Sequence, residues 1–194
     1  MAINITEKLV RSSLRLRGYD YSDPGAYFVT ICTDQRICYF GNIVDGIMIS
    51  FPVIDVVREI WLDIPKQFLY VDLDAFIIMP NHIHGIVVVR KELMNQVSSE
   101  AKSWISMKNS NQMLGKIIRY FKAKSARIIH DSGFPRFDWQ PNYFERVVRS
   151  PRELNAIREY IINNPIRWIL DRENRLSENF NMDLDKYFLD IFER

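Results

Sequence analysis

The chain has 194 residues, 47% hydrophobic and 26% charged, and its 26 Lys and Arg against 24 Asp and Glu leave a formal net charge of +2. This suits one domain, or one domain with a tail, and excludes disordered, collagenous and coiled-coil chains. The seven glycines make no G-x-x-x-x-G-K or G-x-G-x-x-G string, two cysteines cannot build a disulfide framework or a four-thiolate zinc site, and no apolar run approaches the ~18 residues of a membrane span.

Residues 1–19 read as a basic N-terminal arm, with Lys8, Arg11, Arg15 and Arg17 against Glu7. Its opening, MAINITEKLVRSS, lacks the apolar stretch of a signal peptide, so a cytoplasmic location is expected. GAYFVTICTDQRICYFGNIVDGIMIS, rich in β-branched and aromatic residues around turn residues, predicts a hairpin or short meander. Val53, Val56, Val57, Ile60 and Trp61 follow the i, i+3, i+4, i+7, i+8 spacing of an amphipathic helix, expected to end near Pro65. LDAFIIMPNHIHGIVVVR holds two apolar runs joined at Pro80–Asn81, the second apolar on both faces like a central strand.

Residues 91–110 are polar and read as a loop. From Asn111, Leu114, Ile117, Ile118, Phe121, Ser125 and Ile128 define the apolar face of a helix. Lys116, Arg119, Lys122, Lys124 and Arg127 fall largely off that face. Residues 101–152 hold eleven basic side chains, Arg146 and Arg149 among them, against Asp131, Asp138 and Glu145, which makes this segment the candidate polyanion surface. YFERVVRS is strand-like. Ser150, Pro151 and Glu153 then supply the N-cap, first position and third position of a helix stopped by Pro165, and Leu184, Tyr187, Phe188, Ile191 and Phe192 mark a last amphipathic helix.

Strand pairs alternating with helices predict an α+β fold: a ferredoxin-like antiparallel sheet with helices packed on one face, plus a C-terminal helical tail. The divisions expected are an arm over 1–19, a domain over 20–168 and an amphipathic tail over 169–194.

Two of the three histidines, His82 and His84, stand two apart at the start of an apolar strand, where alternation turns both imidazoles to one side and lets them grip one metal ion. The plainer alternative is a pair that caps a strand end, yet burying imidazoles without partners is costly. Tyr160 lies mid-helix with Asn164 one turn on, about 6 Å along the axis, although a helical tyrosine is ordinarily a packing residue.

PNHIHGIVVV resembles the His-hydrophobic-His (HUH) motif of the single-tyrosine transposases of the IS200-like superfamily. WQPNYFERVVRSPRELNAIREYIINNPIRW and RLRGYDYSDPGAYFVTICTDQRICYFG resemble the REP-associated tyrosine transposase branch, so the likeness runs from about Arg11 to Trp168. The resemblance implies an enzyme, a transposase or DNA nickase-ligase, with Tyr160 as nucleophile and His82 and His84 as metal ligands. Its related insertion-sequence enzymes complete the metal site with a glutamine four residues after the tyrosine, where this chain has Asn164. The implied cofactor is magnesium or manganese rather than zinc, and the implied partner is single-stranded or hairpin DNA, attacked to leave a 5′-phosphotyrosine. Monomer and homodimer both stay open. Candidate DNA contacts are Arg11, Arg15, Arg17, Lys116, Arg119, Lys122, Lys124, Arg127, Arg146 and Arg149. A DNA-binding protein that keeps the fold without catalysis, and a phosphodiesterase that uses water, are the alternatives.

Overall fold

The computed structural model describes residues 25–90, 113–180 and 182–192. The arm with Arg11, Arg15 and Arg17 and the loop expected over 91–110 lie outside these described residues. Along Gly25–Cys32 (β1) the side chains alternate, with Tyr27, Val29 and Ile31 entering one core and Phe28 the other. A two-stranded hairpin follows, Gly41–Val44 (β2) and Ile47–Ser50 (β3), turned at Asp45 and Gly46, whose φ values of 50° and 74° are the paired positive angles of a tight Asp-Gly hairpin. Val53–Gln67 (α1) leads to Val71–Met79 (β4) and His82–Val89 (β5), which pair antiparallel across the Pro80–Asn81 turn. Met113–Asp131 (α2), Phe144–Val148 (β6), Pro151–Asn163 (α3) and Leu184–Phe192 (α4) complete the chain.

The main sheet has the order β4-β5-β1-β6 with every neighbour antiparallel. With the β2–β3 hairpin set aside, this is the ferredoxin-like β-α-β-β-α-β arrangement that the sequence predicts, with β1 and β5 in the centre. On one face, as expected, α1 and α2 pack Trp61, Ile117 and Phe121 against Tyr27, Val29, Ile83 and Val87. The other face is also covered: Ile157, Tyr160 and Ile161 of α3 and Phe188 and Phe192 of α4 pack with Phe28, Ile86 and Phe144. Cover on both sides is why the second half of β5 is apolar without alternation.

Two local details depart from the sequence reading. α1 runs through Pro65 to Gln67, and Phe68 N still donates to Ile64 O at 2.9 Å, because a proline in the last turn removes one hydrogen bond without breaking the ladder around it. Ser150 Oγ accepts from Glu153 N at 3.1 Å, as an N-cap should, but the Glu153 carboxylate turns to Arg149 N at 2.8 Å and to Arg146 Nε at 2.7 Å. That choice ties α3 to β6.

Gly85, between the two faces of β5, lies directly under the Trp61 indole: a Cβ there would sit 2.4 Å from Trp61 Cζ2. Trp61 is fully buried, so the ring has no room to retreat. Gly85→Ala is expected to destabilise the fold by about 1–3 kcal/mol, the usual cost of overpacking, and Trp61→Phe should recover part of the loss. Urea unfolding of the two single variants and the double variant measures both.

Candidate active site

The two-residue repeat of β5 points His82 and His84 to the face covered by α3 and α4, and β1 supplies Thr30 opposite His84. His84 Nδ1 lies 2.9 Å from Thr30 Oγ1, and its ring stacks on Phe28 with centroids 5.4 Å apart. His82 Nδ1 lies 2.8 Å from Asn81 Oδ1. The Asn81 amide cannot flip, since its Nδ2 donates to the carbonyls of Arg36 (3.1 Å) and Glu173 (2.9 Å). An amide oxygen only accepts, so His82 carries its proton on Nδ1 and presents a bare lone pair at Nε2. Burial first, and His84 second, hold the His82 pKa down to about 3, which keeps the ring neutral.

The α3 helix brings Tyr160 across this pair. Its hydroxyl is 3.2 Å from His84 Nε2 and donates to Asp171 Oδ2 at 3.3 Å. Burial, reinforced by the neighbouring Asp171 carboxylate, raises the phenol well above its ordinary pKa. Asn164, the C-cap of α3, donates from Nδ2 to the same Asp171 oxygen at 2.9 Å, and Glu173 N donates to Asp171 Oδ1 at 2.6 Å. Burial alone would raise Asp171; the facing His82 and His84 imidazoles and the Glu173 N–H outweigh it and hold the carboxyl below its usual range. Thus the strand-borne histidines and the late tyrosine and asparagine named from sequence surround one buried carboxylate.

Asp171 is the residue that the sequence reading left out. After Asn164 the chain passes Pro165 and a 3-10 turn, Trp168–Leu170, before Asp171 folds back under α3. Nothing in the residue spacing signals that return. It creates a group of three, His82, His84 and Asp171, each offering one ligand atom, all within 4.8 Å of one another and able to hold a metal ion. Two buried acceptors among the described residues support that use: His82 Nε2 and Asn164 Oδ1 have no hydrogen-bond partner. An unmet buried acceptor costs roughly 1–3 kcal/mol, and a cation would satisfy it.

Glu173 extends the network away from the histidines. Its carboxylate accepts from Arg36 Nε, from Arg172 at 2.8 Å and from the Cys32 thiol at 3.3 Å. Burial would raise Glu173, but Arg36, His82 and Arg172 together bring it below the ordinary value. Arg36 and its neighbour Gln35 hold φ angles of 52° and 49°, left-handed conformations that cost non-glycine residues on the order of 1–3 kcal/mol each. The whole centre is closed in this state. Trp168 stacks over His82 at 6.0 Å, Phe188 and Phe192 meet the Tyr160 ring edge to face, and Tyr160 is only 2% exposed.

The expected DNA contacts are distributed differently. α2 lies on the face of the sheet opposite the histidines, with Lys116, Arg119 and Arg127 exposed. Lys122 donates to the carbonyls of Gln140 (2.8 Å) and Asn142 (2.9 Å), and burial lowers its pKa to about 8. Lys124 donates to Asp63 and Tyr120, both at 2.7 Å. Arg146 is paired with Glu153 and lies over the Phe192 ring, while Arg149 is exposed. Trp139 and Phe144 are core residues, with Trp139 Nε1 donating to Ser125 Oγ at 2.9 Å.

No family model matches the chain. An uncharacterized protein of Haemophilus influenzae is 34% identical over 165 residues, which cover 84% of this chain and 92% of the relative. The chain belongs to the family of that protein. Among solved structures, a REP-associated tyrosine transposase bound to a REP hairpin shares the fold, with TM-score 0.54 and 17% identity over 79% of this chain and 73% of its own. A candidate transposase of Deinococcus radiodurans aligns over 77% of this chain and 95% of its own at 20% identity, with TM-score 0.44, too low to add to the comparison. No helix among the described residues is long and apolar enough to cross a membrane.

Two predictions follow from this geometry. Asn81→Ala frees the His82 tautomer and is expected to weaken Mn²⁺ binding about 10- to 100-fold, measured by calorimetric titration, with the fold retained. The metal-free protein should lose stability as the pH falls from 6.5, the ordinary histidine value, towards 3, because the unfolded chain protonates His82 there and the folded chain does not. The slope contributed is up to about 1.4 kcal/mol per pH unit, and His82→Gln should remove it in urea unfolding series between pH 7 and pH 5.

Proposed function

We propose that the protein is a metal-dependent, transposase-type enzyme that nicks and joins single-stranded or hairpin DNA, with Tyr160 as nucleophile. The observation that carries this reading is the Tyr160 hydroxyl lying 3.2 Å from His84 Nε2 beside a carboxylate and a second, metal-ready histidine. The shared fold of a transposase solved with a REP hairpin supports it. His82, His84 and Asp171 would hold the ion, with Asn164 Oδ1 as a further ligand. Two imidazoles, a carboxylate and an amide suit manganese, with magnesium next. When bound, the ion polarises the scissile phosphate and stabilises charge developing on its oxygens.

The Tyr160 oxygen bonds to phosphorus as the bond to the 3′ oxygen breaks, and the phenol proton passes through water to that departing oxygen. The products are a 5′-phosphotyrosine and a 3′-hydroxyl, which balances the proton that the phenol gives up. Only about one part in a thousand of a free phenol is ionised at neutral pH, and burial makes that fraction smaller here, so the proton leaves as the phosphorus bond forms rather than before it. Joining is the reverse attack by a 3′-hydroxyl, and it needs no nucleotide because the phosphoester is kept. For DNA to enter, the segment carrying Trp168, Phe188 and Phe192 has to swing off the centre.

Backbone contacts to DNA are assigned to Lys116, Arg119, Arg127 and Arg149, with Arg11, Arg15 and Arg17 of the arm. Lys122, Lys124 and Arg146 would have to give up their internal partners to join them. A labelled hairpin with a single-stranded flank, incubated with Mn²⁺, is expected to give a protein-linked product stable in denaturing gels. Tyr160→Phe should abolish the adduct and His82→Ala should reduce it at least a hundredfold, both leaving hairpin binding intact. Cleavage by Tyr160→Phe would show water as nucleophile, and binding without cleavage by the wild type would show a non-catalytic protein.

A further inference from the structure

Arg36 is placed with more constraint than a surface ion pair requires. Its left-handed backbone follows a second left-handed residue, and the loop is stapled to the β4–β5 turn by Thr33 N donating to Asn81 O at 2.8 Å. Its own carbonyl is held by the amide that orients His82. Backbone strain and the histidine turn therefore fix one guanidinium beside the candidate metal centre. The partner of that guanidinium, Glu173, is contributed by the segment that also brings Asp171 into the site. The two oxygens of Glu173 are gripped by Arg36, Arg172 and the Cys32 thiol while its side chain is only 3% exposed. These are the contacts that the two non-bridging oxygens of a phosphodiester would accept.

We infer that Arg36 is the phosphate-binding residue of this site and that Glu173 stands in the place of a DNA phosphate. The inference rests on the reading of the centre as one that acts on DNA, and it names the group that holds the substrate there. When a single strand enters, a phosphodiester replaces the Glu173 carboxylate on Arg36, next to the histidine pair. Glu173 is thereby a competitor of the substrate, and its removal strengthens DNA binding, whereas removal of an ordinary structural ion pair would weaken it or leave it unchanged.

A double-mutant cycle with a sequence-neutral probe tests this: fluorescein-labelled oligo(dT) of twenty nucleotides, titrated by anisotropy in the presence of Mn²⁺, with thermal unfolding recorded for each variant. Glu173→Gln is expected to raise affinity about fivefold to tenfold, and Arg36→Gln to lower it by a similar factor. In the double variant the gain from Glu173→Gln should vanish, because Arg36, the guanidinium assigned to the phosphate, is gone, while Arg172 stays tied through its Nε to the Met182 carbonyl. If the wild type binds and Glu173→Gln gives no gain, or gives a gain that survives Arg36→Gln, the pair is structural and the assignment fails while the reading of the site stands. If neither the wild type nor any variant binds the oligonucleotide, the reading of the site falls and this inference falls with it.

Discussion

The side chain of Asn81 is bound on three sides, and the rest of the centre is arranged around it. Its nitrogen holds the carbonyls of Arg36 and Glu173, which belong to the first loop and the last segment, and its oxygen fixes the proton of His82. A two-residue turn between the sheet's β4 and β5 strands thereby joins three stretches of chain far apart in sequence. It also dictates a chemical state, an imidazole with a free lone pair in a dry site. The alternative tautomer would set an acceptor against an acceptor at 2.8 Å, which no local adjustment relieves without releasing the Arg36 or Glu173 carbonyl.

The scaffold makes that arrangement affordable. Two cores flank one sheet, and His84 and Tyr160 project into the smaller of them, among Phe28, Ile86, Phe188 and Phe192. Buried carboxylates survive there because each is met by donors: Asp171 by the Asn164 amide, the Tyr160 hydroxyl and a backbone N–H, Glu173 by two arginines and a thiol. The larger core, under α1 and α2, lies on the opposite face and supports β5 beneath the histidines through the Trp61–Gly85 contact.

Much of this was legible in the residues. The period-two pattern of β5 puts His82 and His84 on one side, the 3.6-residue pattern of α3 puts Tyr160 and Asn164 on one face, and strand-helix alternation implies the sheet between them. What joined those faces was not legible. Asp171 and Glu173 arrive by a series of tight turns after Pro165, where no periodicity constrains direction, and they read as part of an acidic tail. Lys122 shows the converse limit: its place on the polar side of α2 follows from spacing, but the two carbonyls that occupy it come from a loop eighteen and twenty residues later. Periodicity reports which side of an element a residue faces, and it says nothing about which distant backbone comes to meet it.

In the function proposed for this chain, His82 and His84 are the nitrogen ligands of one metal ion beside Tyr160. Pulsed electron paramagnetic resonance of the Mn²⁺-loaded protein tests it most directly. Modulation from two imidazole nitrogens is predicted, reduced to one in His82→Gln and in His84→Gln. Tightly bound manganese with no nitrogen modulation, or with a pattern that neither substitution changes, would contradict it.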